Sequence, residues 1–188
     1  MNSVLTGRIL AVTGLAGLIA SFVLTLEKLA TLSDPAYVPS CSINPIISCG
    51  TIMSSPQAEV FGFPNPISGL IGFTALTIVG VLAATGVSLP RWCWFATLAG
   101  LALAATFVHW LIFASLYSIQ ALCPYCMIVW ISVVCSLWYC ALHLAVSRTN
   151  SATAATAARY HSVVPTVWML LVVLAITEAF WWYWRTLA

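Results

Sequence analysis

Charge is what this sequence has least of. Its 188 residues include six cationic and four anionic side chains, 5% of the total, against 62% hydrophobic residues. A soluble domain carries about 25% charged residues and roughly 45–50% apolar ones. This chain therefore lacks the polar side chains to cover an apolar core in water, and its solvent must be lipid. A net charge of +2 is too small for a nucleic-acid footprint, so no nucleic-acid partner is expected. The sequence also lacks a Gly-rich dinucleotide fingerprint, a haem-attachment motif, an internal repeat and a low-complexity tract. The N-terminus has neither the short apolar core nor the small-residue cleavage site of a removable signal peptide, and its first apolar run is long enough to stay in a bilayer.

What is present is apolar sequence in long runs. About 20 mostly apolar residues cross a hydrocarbon core, and five stretches qualify: residues 9–29, 66–87, 92–117, 126–146 and 163–184. Lipid leaves no partner for a free backbone N–H or C=O, so each must be helical. The expectation is an all-α membrane protein with five transmembrane helices, the 188 residues forming one integral-membrane domain. Lys28 is placed to snorkel at the end of the first helix. An inward N-terminus puts Arg8, Arg91, Arg148 and Arg159 on the cytoplasmic side and Lys28 and Arg185 outside. The positive-inside bias favours that orientation. Glu27, Asp34 and Glu59 then lie outside, and Trp181, Trp182, Tyr183 and Trp184 read as an outer aromatic belt.

The connections are unequal. The turn at Ser88–Pro90 is short, and residues 147–162, rich in Ser, Thr and Ala, read as a plain linker. The outer segment of residues 30–65 is long and proline-rich, and Ile52, Val60, Phe61 and Phe63 make it too apolar for disorder. It is expected to cap the bundle.

Seven cysteines sort by position. Cys41 and Cys49 lie in the outer loop, and Cys123-Pro124-Tyr125-Cys126 opens the fourth helix on the same side. A spacing of three brings two thiols to one helix face. The helix N-terminus favours the thiolate, and Pro124 suits a first turn. The thiolate is the attacking species in disulfide exchange, so the motif reads as a redox pair; the bland alternative is a structural disulfide. Pro45 and the Ser48–Gly50 stretch allow a turn that brings Cys41 and Cys49 together. Alone, such a pair is a stabilising bridge; beside a membrane-edge Cys-x-x-Cys it reads as a shuttle that passes electrons from a soluble partner. A zinc site would want two closely spaced pairs, and no metal is expected. Cys93, Cys135 and Cys140 read as small apolar fillers. His109 suits either a hydrogen bond toward a bound acceptor or helix packing. His143 lies far from the thiols, and Glu178 suits anchoring or packing.

Two thiol pairs need a terminal electron acceptor, and one dissolved in the bilayer, a quinone, is the economical choice. A strong protein oxidant of the thioredoxin fold sits near about −120 mV, so reoxidising it needs an acceptor at or above that potential. Cys126 is expected next to the quinone headgroup, with Phe73, Trp110, Phe113 and Trp130 as aromatic walls.

The run Cys41-Ser-Ile-Asn-Pro-Ile-Ile-Ser-Cys49-Gly, followed by Ser54-Ser55, Phe61-Gly-Phe-Pro-Asn65-Pro and Cys123-Pro-Tyr-Cys126, resembles the vitamin K epoxide reductase family over four of the five spans. The CPYC form and the extra helix look like its bacterial branch. The resemblance implies a four-helix bundle around a quinone (ubiquinone or menaquinone), one peripheral helix, and an outer loop with a capping half-helix. It implies that Cys41 takes electrons from a thioredoxin-fold, DsbA-like extracytoplasmic partner, that Cys49 attacks Cys123, and that Cys126 reduces the quinone. Ser55 matches the family's loop Ser, and Asn65 matches the Asn that hydrogen-bonds near the quinone. Trp130 departs from the Tyr of vertebrate members and offers an indole N–H instead of a hydroxyl. Many bacterial relatives continue into a thioredoxin-like domain, and none is expected within these residues. The implied location is the bacterial cytoplasmic membrane, with the thiols on the extracytoplasmic side. Rival readings are a vitamin K epoxide reductase proper, a relay run in reverse from quinol, and a membrane scaffold or transporter whose cysteines are structural.

Overall fold

The computed structural model describes residues 3–34, 36–148 and 152–187. In chain order the helices are α1 (Ser3–Ser33), α2 (Cys49–Met53), α3 (Asn65–Ala84), α4 (Arg91–Phe113), α5 (Pro124–Arg148), α6 (Ala152–Arg159), α7 (Val163–Ala179) and α8 (Trp181–Leu187). A 3-10 turn covers Pro56–Glu59, and α4 runs directly into a π-helical segment, Ala114–Ile119. Among the described residues the only β pairing is a parallel bridge between Ile47 and Leu122. The chain is an all-α membrane protein. Four helices are long and apolar enough to cross a bilayer: α1, α3, α4 with its π extension, and α5.

The fifth expected span is not one helix. It breaks at Phe180, which leaves helical geometry (φ −105°, ψ 21°) and buries its side chain completely. What precedes the break, α7, has 17 residues. It is a shorter apolar helix, at the lower end of the roughly 17–25 residues that cross a hydrocarbon core. The linker expected at 147–162 is also partly helical, because the Ala-rich run of α6 has high helix propensity. The side chain of Arg148, used for the charge bias, and residues 149–151 of that linker lie outside the described set, whereas Arg185 is exposed.

α1 is the central element, packed on α3 along one side and on α5 along another, while α4 packs on α5. The α1–α3 crossing is close because both helices present glycine. A Cβ added at Gly14 would lie 2.7 Å from Thr77 Oγ1 and 3.0 Å from its amide nitrogen. Lipid gives no hydrophobic drive for helices to associate, so such approach is how they gain dispersion contact. Two polar contacts form inside the bundle: Thr13 Oγ1 lies 2.7 Å from the buried Ser136 Oγ, and Thr25 Oγ1 donates to Ser21 O at 2.8 Å, whereas the buried Nδ1 of His143 has no hydrogen-bond partner among the described residues. The second span ends three residues before the expected position 87, because Gly86 takes φ +84° and its amide donates back to Ala83 O.

α7 is peripheral, lying against α5 and the π segment. Trp168 Nε1 donates to His109 Nε2 at 2.9 Å, and Tyr117 OH donates to Glu178 Oε2 at 3.0 Å. His109 and Glu178 therefore dock this helix. Trp181, Trp182 and Trp184 are exposed, as an interfacial belt requires.

Candidate functional site

The thiols meet because the loop between α1 and α3 is tied to the start of α5. Asn44 Oδ1 accepts from the amides of Ile46 (3.0 Å) and Ile47 (2.7 Å), which tightens the turn after Cys41. Leu122 N then donates to Ile46 O at 2.7 Å, and Ser48 N donates to Leu122 O at 3.0 Å. Ser48 also caps α2, its hydroxyl accepting from Thr51 N at 3.3 Å. Cys49 thereby opens α2 beside Cys123. On the other side, the π segment ends at Gln120, the one non-glycine residue with positive φ (55°) among the described residues. Ser115 Oγ donates to Ala121 O, and the widened turn delivers Leu122 and Cys123 under the loop.

Cys41 and Cys49 form a disulfide, with Cα atoms 5.6 Å apart. Cys49 Sγ lies 3.1 Å from Cys123 Sγ, across 74 residues of chain. The sulfurs of Cys41, Cys49 and Cys123 all fall within 4.8 Å of one another. Two of the three are spent in the disulfide, so in this arrangement they offer no thiolate to a metal. Cys123 stands just before α5: its carbonyl accepts from Met127 N at 3.0 Å and its sulfur from Cys126 N at 3.4 Å, the contacts of an N-cap. A hydrogen bond from the Cys126 thiol, reinforced by the Cys126 and Tyr125 amides, holds the Cys123 thiol below its ordinary range against the opposing effect of burial. The lower-pKa sulfur is thus the one that touches the loop disulfide.

Cys126 lines a cavity of about 710 Å³, within the range typical of small-molecule sites. α3 and α4 form its long walls, and the loop closes it at the cysteine end. Ser55, Asn65, Phe73 and Trp130 line it, as do Cys49 and Cys123. Phe73 and Trp130 are buried. Asn65 is engaged with the loop, its Nδ2 donating to Gln57 O at 2.7 Å and its Oδ1 accepting from Val60 N at 3.2 Å. Ser55 Oγ donates to Ile52 O at 2.7 Å.

Trp110 and Phe113 stand elsewhere. They are 43% and 62% exposed, and neither lines the cavity. The α4 wall is made by Ala104, Phe107, Val108, Leu111 and, from the π segment, Ser115. At roughly 100° per residue Phe113 falls opposite Ala104, and Trp110 about a third of a turn away from it. The spacing of the small and aliphatic positions carried that signal, and aromatic character pointed the wrong way. His109 is likewise absent from the lining; its Nδ1 pairs with Ala105 O at 2.7 Å, which leaves Nε2 for Trp168.

Two loop expectations also change. Lys28 does not snorkel: it is 8% exposed and turned into the loop, where its Nζ donates to Met53 O at 2.7 Å. The cap is sealed by Cys49 and Met53, both buried, while Val60, Phe61 and Phe63 are exposed. Phe61 instead reaches across to Phe107, with ring centroids 5.4 Å apart. Cys140 is fully buried, with its thiol toward Trp94 O at 3.8 Å, as suits a packing residue.

No curated protein matches the chain. The family model described as "Vitamin K epoxide reductase family" matches residues 8–141. Those residues span most of α1, all of α3 and α4, and α5 as far as residue 141. They hold the loop disulfide, the Cys-x-x-Cys and the cavity-lining residues, and leave out the start of α1, the end of α5 and the helices that follow. The chain is an oxidoreductase-family membrane protein by this match, and it belongs to the vitamin K epoxide reductase family.

Proposed function

We propose that this protein is a quinone-linked thiol–disulfide oxidoreductase that reoxidises a thioredoxin-fold, DsbA-like partner on the extracytoplasmic face of a bacterial cytoplasmic membrane. The observation that carries this reading is the 3.1 Å approach of Cys49 Sγ to Cys123 Sγ, with Cys126 on the wall of an apolar cavity.

The chemistry runs by disulfide exchange. The partner dithiol reduces the Cys41–Cys49 bridge and leaves oxidised. The Cys49 thiolate attacks Cys123 of an oxidised Cys123–Cys126 pair; a Cys49–Cys123 bond forms and Cys126 leaves as thiolate. Cys41 then attacks Cys49, restoring the loop disulfide and releasing Cys123. Two electrons have then moved to the Cys123–Cys126 dithiol; a bonded loop pair beside a free inner pair fits this step. A bilayer quinone, ubiquinone or menaquinone, supplies the two-electron acceptor. The cavity suits such a molecule in size and apolar lining, and Ser55, Asn65 and Trp130 are among its lining residues.

Trp130 in place of a phenol removes a hydroxyl proton source from this wall, which favours quinone over an epoxide as substrate. A scaffold with structural cysteines would have no use for a lowered Cys123 thiol in contact with a disulfide.

The test is quinone reduction by purified protein with a reduced thioredoxin-like donor. Wild type should turn over. Cys41→Ala should fail with the protein donor and recover with dithiothreitol, and Cys126→Ala should fail with both. Wild type that reduces no quinone with any donor would end the relay reading.

A further inference from the structure

Two adjacent ionisable residues near the end of α1 are buried without touching the reacting sulfurs. Glu27 and Lys28 are each 8% exposed. Glu27 accepts three hydrogen bonds: from Tyr37 OH at 2.9 Å, from Ser40 Oγ at 2.5 Å and from Ser40 N at 3.3 Å. All three come from the segment that leads into Cys41. Lys28 reaches the other flank of the disulfide. Its Nζ donates to the carbonyl of Met53, the last residue of α2, at 2.7 Å and pairs with Glu59 Oε1 at 2.9 Å.

Burying an acid and a base at the end of an apolar helix is costly unless each is fully partnered. Packing alone would be served by two aliphatic side chains. Here each charge is partnered by loop groups, one on either side of the Cys41–Cys49 unit. Opposite charges side by side on one helix thus grip the loop on both sides of the disulfide.

We propose that Glu27 and Lys28 are positioning residues that clamp the entry to Cys41 and the exit from α2, holding Cys49 Sγ against Cys123 Sγ. The purpose of the clamp rests on the relay reading; its geometry does not. Holding the reacting sulfurs together spares the exchange the entropy of searching for contact. Because the clamp acts through hydrogen bonds to charged groups, a side chain of similar bulk but no charge does not replace it.

The test uses the double variant Cys41→Ala/Cys126→Ala, in which Cys49 and Cys123 are left to bridge each other. The rate of Cys49–Cys123 bridging on oxidation with diamide is read by non-reducing peptide mapping. Adding Glu27→Leu or Lys28→Met should slow bridging by about tenfold each, the scale of losing charge-assisted hydrogen bonds. Glu27→Asp and Lys28→Arg should recover most of the rate, which a purely space-filling role would not produce. Equal rates in all variants would overturn the proposal. If Glu27→Leu does not yield folded protein, Glu27→Gln carries the test: slowed bridging supports the clamp and an unchanged rate overturns it. The trap needs neither donor nor quinone. A wild type that reduces no quinone therefore removes the relay reading, while the bridging rates still decide the clamp.

Discussion

At the scale of single residues, the chemistry turns on which sulfur carries negative charge. Cys123 is 1% exposed, and burial alone would keep it protonated. The hydrogen bond donated by Cys126 outweighs that and lowers its pKa. A lowered pKa means that the thiolate forms at a lower pH than for an ordinary thiol and is lost only as pH falls through the lowered value. Replacing Cys126 with Ala removes the largest stabilising contact. The thiolate ultraviolet absorbance of Cys123, titrated in a Cys49→Ala background so that no exchange intervenes, should then appear at higher pH. An unchanged titration would mean that the backbone amides alone set this pKa. Both cysteines of the motif were legible from the sequence because the signal is local: a spacing of three, a proline at the first helical position and a membrane edge. The inward turn of Lys28, read from the sequence as snorkelling, and the hydrogen bonds of Glu27 were not legible, because their partners lie 10 to 31 positions further along the chain.

At the scale of elements, the long loop acts as a braced lid and not as a free tether. Its register is set by the bridge at Ile47 and Leu122, its exit by α2, and its far end by Asn65. Apolar content predicted that it would be ordered, but which apolar residues turn inward depended on the two strand-like hydrogen bonds to Leu122. The π segment was not legible either; residues 114–119 read like any other helical turn, and their widening depends on Ser115 and Gln120 meeting the 121–123 backbone. The peripheral helix is a separable element. Trp168→Phe keeps the ring and removes the N–H that His109 Nε2 accepts. It should cost about 1 kcal/mol, seen as a small drop in thermal stability, with quinone reduction unchanged. A loss of quinone reduction in folded Trp168→Phe would tie this helix to the reaction after all.

At the scale of the whole molecule, the arrangement joins the loop disulfide to an apolar cavity at one sulfur–sulfur contact. α1 holds α3 and α5 together, α5 holds α4, and the cavity lies between the α3 and α4 walls. Gly72 and Gly100 line that space, and a Cβ at either would meet nothing within 4 Å. A side chain there therefore starts in open space beside the cavity. Gly72→Phe should raise the KM for quinone by about tenfold or more, while partner-driven reduction of the Cys41–Cys49 bridge, followed by thiol alkylation, stays near wild type. Equal KM values would place the acceptor elsewhere.

The sequence by itself determined the solvent, the helical class and the placement of the two cysteine pairs. Each follows from a property that needs no tertiary contact: apolar run length against bilayer thickness, the obligation to satisfy the backbone in lipid, and thiol spacing at a helix start. It also carried enough ordered motif to resemble the family to which the chain belongs. Only the tertiary structure decided that Phe180 breaks the last span, that His109 docks a helix, that Trp110 and Phe113 stand outside the cavity and that Lys28 turns inward. Those outcomes depend on how each helix is rotated against its neighbours. In a chain where nearly every side chain is apolar, hydrophobic pattern carries little information about rotation. The direction a helix faces is fixed instead by sparse glycines and hydrogen bonds, whose partners lie far away in sequence.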